Sequence, residues 1–349
     1  MRKPMAALSL ALASALVLSA CGGTDETPTD APAATTAEET DAPAETEEPT
    51  EDANDAASGT VAIEDNNGTH ELAVPPTTVV ATDNRTFETL YDWGVEIAAG
   101  AVSLMPSTVG YVNDEAIIDL GTHGDPDLEA LVPLDPDLIV NGQRFTQFHD
   151  ELQTYAPNAL VLELDPRDGE DFTAELKRQI TVLGDVFAKQ DEASSLNAEF
   201  DAAIARVAAA YNPEDTVMGV ITSGGTIGYI APTTGRTLGW TFDSLGLTPA
   251  LAQEGSDDHQ GDEISVEAIA DSNPTWILVM DRDAAVAADD PEYVPSAELI
   301  EDTEGPLKNT TAVSEGNIVY MPADTYTNEG IQTFTEFLNA FADALEAKN

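Results

Sequence analysis

Two α/β lobes joined by a single long α-helix are the fold class this sequence predicts, and three observations predict it. Strand-like and helix-like patterns alternate through residues 59–168 and again through 191–349, as in a largely parallel sheet covered by helices. Between these halves Phe172, Leu176, Ile180, Leu183 and Phe187 recur at intervals of three and four, which gives one apolar stripe on one helix. Finally, each half carries the same local phrase, a Glu seven residues before a Pro that opens a strand. Glu129 precedes Pro136-Asp137-Leu138-Ile139-Val140, and Glu267 precedes Pro274-Thr275-Trp276-Ile277-Leu278.

The elements follow in order. Residues 1–20 read as an export signal: Arg2 and Lys3, then an apolar run from Met5 to Leu18 that is too short to span a membrane. Leu18-Ser19-Ala20-Cys21 has the form of a lipobox, so Cys21, the only cysteine, is expected to carry acyl chains. Residues 21–58 hold twelve acids, no Lys or Arg and almost no large apolar side chain, which predicts a disordered, charge-extended tether.

The first lobe, 59–168, should begin with a hairpin, Thr60 to Ile63 and Glu71 to Val74 around Asn66-Asn67-Gly68. Strands follow at Thr78 to Thr82, Leu138 to Val140 and Ala159 to Leu162. Helical patterns lie at Phe87 to Trp93, Asp127 to Leu131 and Phe148 to Tyr155. The connecting helix, 169–190, continues as helical pattern to Tyr211 after a break near Gln190-Asp191, and a helical connector predicts a stiff hinge. In the second lobe, 191–349, strands are expected at Thr216 to Thr222, Thr226 to Ile230, Trp276 to Met280 and Ile318 to Met321. Helices are expected at Leu238 to Leu245, from a Ser265 cap through Ala270, and at Phe334 to Leu345.

The charge excludes partners. The chain stands at −52, and without signal and tether it keeps 53 of its 65 acids against 11 of its 13 bases. Nucleic acid and anionic lipid head groups are repelled by such a body. The few cations therefore carry information. Ligands in open α/β sheets bind beyond the carboxyl ends of strands, and Arg85, Arg144 and Arg282 each follow a predicted strand. Arg236 lies in a loop just before a helix, Tyr326 follows the last strand, and His259 sits in a loop before Ser265. Arginines gathered at strand ends imply an anionic ligand held by planar, multidentate contacts. They do not by themselves say which anion.

Several segments together resemble the iron-siderophore and vitamin B12 class of ABC-importer binding proteins, and among them the catecholate-siderophore binding lipoproteins. These are Pro136–Val140 with Arg144, Thr234-Gly235-Arg236-Thr237-Leu238-Gly239, His259 ahead of Ile264-Ser265-Val266-Glu267, Val279-Met280-Asp281-Arg282, and Asp324-Thr325-Tyr326 ahead of Gly330-Ile331-Gln332. The resemblance runs from about Thr60 to the C-terminus and implies the helical-backbone periplasmic binding protein fold. It implies that Arg144, Arg236 and Arg282 hold a ferric siderophore whose Fe(III) Tyr326 and His259 can ligate, while Arg85 is a ligand-binding candidate from its place after a strand. It further implies that Glu129 and Glu267 engage an ABC permease served by its own ATPase. The sequence departs from the family pattern at His259-Gln260-Gly261-Asp262, where a His-Gly-Gln run is usual, at Thr325-Tyr326, where Trp-Tyr is common, and at Arg85.

The expectation is thus an extracytoplasmic, lipid-anchored monomer with no intrinsic cofactor and no enzymatic activity. Alternative cargoes on the same fold are a hydroxamate siderophore, heme, a corrinoid or a bare metal ion. An extracytoplasmic enzyme is disfavoured, since no nucleophile elbow, paired metal-ligand motif or Gly-rich phosphate loop is present.

Overall fold

The computed structural model describes residues 59–302 and 304–348. The signal segment, Cys21 and the acidic stretch through Ser58 lie outside the described residues. Strands β1 (Gly59–Asp65) and β2 (Gly68–Val74) form the expected hairpin, in register from Gly59 opposite Val74 to Asp65 opposite Gly68. Gly68 closes the turn at a φ of 136°, a region open to glycine and strained for other residues.

The first sheet is wholly parallel. Its strands β3 (Val79–Ala81), β4 (Ala99–Gly100), β5 (Ile118–Asp119), β6 (Leu138–Asn141) and β7 (Leu160–Glu163) run in the order β5-β4-β3-β6-β7. Central strands β3 and β6 are buried at every residue, which is why they read as unbroken apolar runs rather than alternations. The chain winds outward in opposite directions from this pair, so the loops after β3 and β6 open the crevice where such sheets bind ligands. Arg85 and Arg144 are on those two loops.

The second sheet repeats the plan. Strands β8 (Thr216–Ser223), β10 (Thr248–Pro249), β11 (Trp276–Asp281) and β12 (Ile318–Tyr320) are parallel in the order β10-β8-β11-β12, and β9 (Thr226–Ile230) folds back antiparallel on β8. The winding reverses between β8 and β11, and Arg282 follows β11. Strands β4, β5 and β10 have two residues each and left no pattern in the sequence.

A helix, Phe172–Phe187, links the sheets in chain order. The Asp171 carboxylate accepts from the Ala174 amide at 2.7 Å and fixes its start. Leu176, Ile180 and Leu183 of the predicted stripe are fully buried. It ends one turn before the expected break, at Ala188 with a φ of 54°, and a second helix, Gln190–Ala210, follows. The last helix, Ile331–Glu346, packs Phe334, Phe337, Phe341 and Leu345 inward. One continuous core runs from the first sheet through these helices to one face of β8 and β11. Met218, Val220, Ile277 and Val279, on the opposite face, belong to a second core. Among the described residues no helix is long and apolar enough to cross a membrane.

Candidate functional site

Three arginines converge on one tyrosine. Tyr326 lies in a single 3-10 turn, Thr325–Thr327, after β12. The guanidinium carbons of Arg144, Arg236 and Arg282 stand 4.9, 5.0 and 4.9 Å from its ring centroid. Each arginine comes from a different place in the chain. Arg144 is in the 3-10 segment Gln143–Phe148 after β6, and Arg282 opens the short helix Arg282–Val286. Arg236 sits between Thr233 and Thr237, whose φ values of 69° and 65° bend the loop sharply back on itself. Guanidinium groups over a ring face gain roughly 0.5–2 kcal/mol each, yet three like charges this close also repel.

The turn carrying Tyr326 is tied to the first lobe. Arg144 donates to the Tyr326 carbonyl at 3.0 Å, and Asn84 donates to Thr327 O at 2.9 Å and Leu104 O at 2.8 Å. Thr89 donates to Gln332 Oε1 at 2.7 Å, and Asn328 to Glu88 Oε2 at 2.8 Å. Gly330 allows the close approach, because a Cβ there would stand 2.8 Å or less from a backbone oxygen, 2.7 Å from Arg85 O.

Beside this cluster is a cleft of about 970 Å³, lined from the first lobe by Arg85 and Arg144, from the long helix by Phe172, and from the second half by Arg236, Trp240 and Glu329. Trp240 stacks on Phe172 at 5.2 Å and meets Phe334 edge-on at 5.4 Å, which makes one wall aromatic. The buried Trp240 Nε1 and Arg236 Nε of the cleft lining, and Arg282 Nε beside them, have no hydrogen-bond partner among the described residues. Tyr326 and Arg282 are not part of the cleft lining; they join it through Arg144 and Arg236.

Electrostatics follow from this packing. Burial alone raises the Tyr326 hydroxyl, but the hydrogen bond from Arg282 and the charges of Arg236 and Arg144 outweigh it, and Tyr326 ionises below the usual phenol range. Burial, then the neighbouring Arg236, lowers Arg144, although Glu329 opposes the shift. Burial also acts against Arg236, but Glu329 and Tyr326 more than compensate and raise it. Glu329 is buried; the arginines around it overcome that desolvation and hold its carboxyl below the ordinary range.

Of the other expected residues, Arg85 reaches the cleft wall, where its guanidinium pairs with Asp165 at 2.8 Å. His259 is exposed, with its ring 3.9 Å from Asp258 and outside the cleft lining. Its loop nevertheless borders the site: Asp257 lines the cleft, and Gln260 reaches Ser223 Oγ, the hydroxyl that Arg282 also contacts at 3.3 Å. Glu129 and Glu267 are both exposed, the first in the turn Leu128–Ala130 and the second in the helix Val266–Ser272, whose Ser265 cap accepts from Ala268 N at 3.1 Å. Sequence reasoning missed Glu329, Gln143 and the Phe172–Trp240 stack. His123 is exposed and outside the cleft lining, and partial burial and the charges of Arg144 and Arg236 hold it below the usual imidazole range. Among the described residues no group of three or more His, Cys, Asp and Glu side chains is arranged to hold a metal ion by itself.

Comparison with known proteins fits this geometry. Residues 79–325 match the family described as periplasmic binding protein. The petrobactin-binding protein YclQ of Bacillus subtilis is 27% identical over 289 residues, covering 81% of this chain and 86% of its own. The ferric-anguibactin-binding protein FatB of Vibrio anguillarum is 27% identical over 269 residues, 76% of this chain and 81% of its own. The solved periplasmic catecholate-siderophore binding protein VctP of Vibrio cholerae superposes with a TM-score of 0.69 at 25% identity, over 82% of this chain and 100% of that one.

Proposed function

The chain belongs to the periplasmic binding protein family, and on that premise we propose that it captures a ferric siderophore of catecholate type between its lobes for an ABC importer. The observation that carries this reading is the convergence of Arg144, Arg236 and Arg282 on Tyr326 beside an aromatic-walled cleft. A body this acidic repels anions at long range, so cationic side chains gathered at one point are what an anionic cargo requires. Relatives named for binding petrobactin and ferric anguibactin, and a structural relative named for catecholate siderophores, support the same cargo class.

In this reading the arginines grip the anionic oxygens of the complex, and Arg85 helps from the wall. Tyr326, easier to ionise than a free phenol, offers a hard oxygen to Fe(III) when the siderophore leaves coordination positions open. His259 supplies the second ligand by an inward move of its exposed loop; His123, electrostatically coupled to Arg144 and Arg236, is the rival for that position. Glu129 and Glu267, exposed and equivalently placed ahead of β6 and β11, dock on the permease. Acylated Cys21 anchors the monomeric protein to the outer face of the cell membrane.

Tryptophan fluorescence tests the cargo. Trp240 lines the cleft, so a ferric catecholate absorbing in the visible should quench it saturably at sub-micromolar concentration, and a ferric hydroxamate should not. Quenching by the hydroxamate alone, or by neither, overturns the catecholate assignment.

A further inference from the structure

The cationic site is less cationic than its arginines suggest. Arg85 is paired with Asp165 at 2.8 Å, Arg236 with Glu329 at 3.2 Å, and Arg282 with Asp283 at 2.9 Å. Among the described residues Arg144 alone makes no carboxylate hydrogen bond; it uses Gln143 Oε1 at 2.7 Å and the Tyr326 carbonyl at 3.0 Å. With the Tyr326 phenol protonated, the four arginines of this cluster against its three carboxylates leave a surplus of one positive charge. The surplus belongs to the cluster around Tyr326 and not to the whole cleft: Asp168, Glu170, Asp171, Asp243 and Asp257 line the cleft as well, and Arg167, the other lining arginine, is bonded to Glu175.

Glu329 is the carboxylate that matters most. Asp165 and Asp283 keep side-chain exposures of 19% and 13%, whereas Glu329 keeps 4%. Solvent therefore screens its charge least. It faces the centre of the cluster, bonded to Arg236, Thr237 and Gln143, and it acts electrostatically on Arg144 and Arg85 as well. A carboxylate needed only as a latch between Gln143 and Thr237 could be an amide. An ionised one fixes how much negative charge the cargo can bring.

We propose that Glu329 is a specificity-determining residue that limits the site to ferric complexes of low negative charge. This rests on the ferric catecholate reading and deepens it by naming the subclass. A tetradentate bis-catecholate around Fe(III) carries one net negative charge, matches the surplus, and leaves two coordination positions open. A hexadentate tris-catecholate carries three and leaves charge that the fixed carboxylates repel at short range.

The test is fluorescence titration of the intact chain, its Glu329→Gln variant and its Glu329→Asp variant, each with a ferric bis-catecholate and a ferric tris-catecholate. Wild type should bind the bis-catecholate more tightly. Glu329→Gln should shrink that preference by on the order of tenfold or more, because one unscreened charge is removed a few ångströms from the cargo. Glu329→Asp, which keeps the charge, should restore it. Denticity differs between the two probes, but it cancels when the preference is compared between variants. Wild type favouring the tris-catecholate overturns the inference even if no variant folds, and so does an unchanged preference in a folded Glu329→Gln protein. Wild type that binds neither probe instead overturns the catecholate reading on which the inference stands.

Discussion

Arg144 holds Tyr326 in two ways at once: one guanidinium nitrogen donates to its carbonyl oxygen at 3.0 Å, and the guanidinium carbon stands 4.9 Å from its ring centroid. The first contact orders the turn, and the second places a cation against the ring. Arg144 comes from the first lobe and Tyr326 from the chain after the last strand of the second, so this pair joins the halves at the floor of the site.

Arg144→Ala should therefore weaken cargo binding more than Arg236→Ala, Arg282→Ala or Arg85→Ala, whose charges are already partly met by Glu329, Asp283 and Asp165. Losing a desolvated charge contact costs about 2–5 kcal/mol, so affinity should drop roughly thirtyfold or more. Arg144→Lys should recover only part of it, since the ammonium keeps the charge without the planar fork. Titration of the four variants gives the ranking, and equal losses would contradict it.

Tyr326 should ionise before Tyr111 and Tyr320, because the arginine charges overcome its burial, whereas those two are pushed up, by burial first. Ultraviolet difference titration should show phenol ionisation below the usual range in wild type that Tyr326→Phe loses. The phenylalanine ring preserves the stacking surface for three guanidinium groups, so the thermal midpoint should move little while any phenolate-to-iron absorption band disappears.

Asp83, buried behind the Arg85–Asp165 pair of the cleft wall, gives the protein a pH response. Burial, and then the neighbouring Asp165 carboxylate, push its carboxyl up to about 7. In the unfolded chain it ionises near 3.8, so between these values the folded state holds the extra proton. Stability from this group is full below about pH 4, declines as pH rises, and is gone above about pH 7. Asp83→Asn should flatten that part of the melting-temperature profile and be relatively most stabilising near pH 8. The amide fits: Gln179 donates to Asp83 Oδ2 at 3.0 Å, its own Oε1 has no partner among the described residues, and a flip of Gln179 meets the new donor.

Glu129→Arg and Glu267→Arg, singly, should leave cargo titration unchanged and abolish stimulation of the reconstituted importer's ATPase. Both residues are exposed and outside the cleft lining, so a change in cargo affinity would point to a different role.

How much of this was legible depended on whether a feature lives in local order or in long-range contact. Val79–Ala81, Leu138–Val140 and Trp276–Met280 of β3, β6 and β11 are buried, contiguous apolar runs, and the apolar stripe of the long helix repeats at helical spacing; neither needs a partner to be seen. The two-residue strands β4, β5 and β10 exist only through their neighbours. The positions of Arg144, Arg236 and Arg282 followed from where ligands bind in such sheets, but their meeting on Tyr326 is set by loops bent at Thr233 and Thr237 and by contacts across 182 residues. Glu329 was hidden for the same reason. In an acidic sequence one more Glu carries no signal until Arg236, 93 residues away, is seen against it.

The segment 324–332 belongs by chain order to the second half, yet Asn84, Thr89 and Arg144 fasten it to the first. A gripper stitched across its base widens only at its rim. Each of those bonds is worth about 1 kcal/mol on its own, but they must fail together for the base to part. The jaws therefore swing through a short arc, and the radius of gyration should scarcely change on loading.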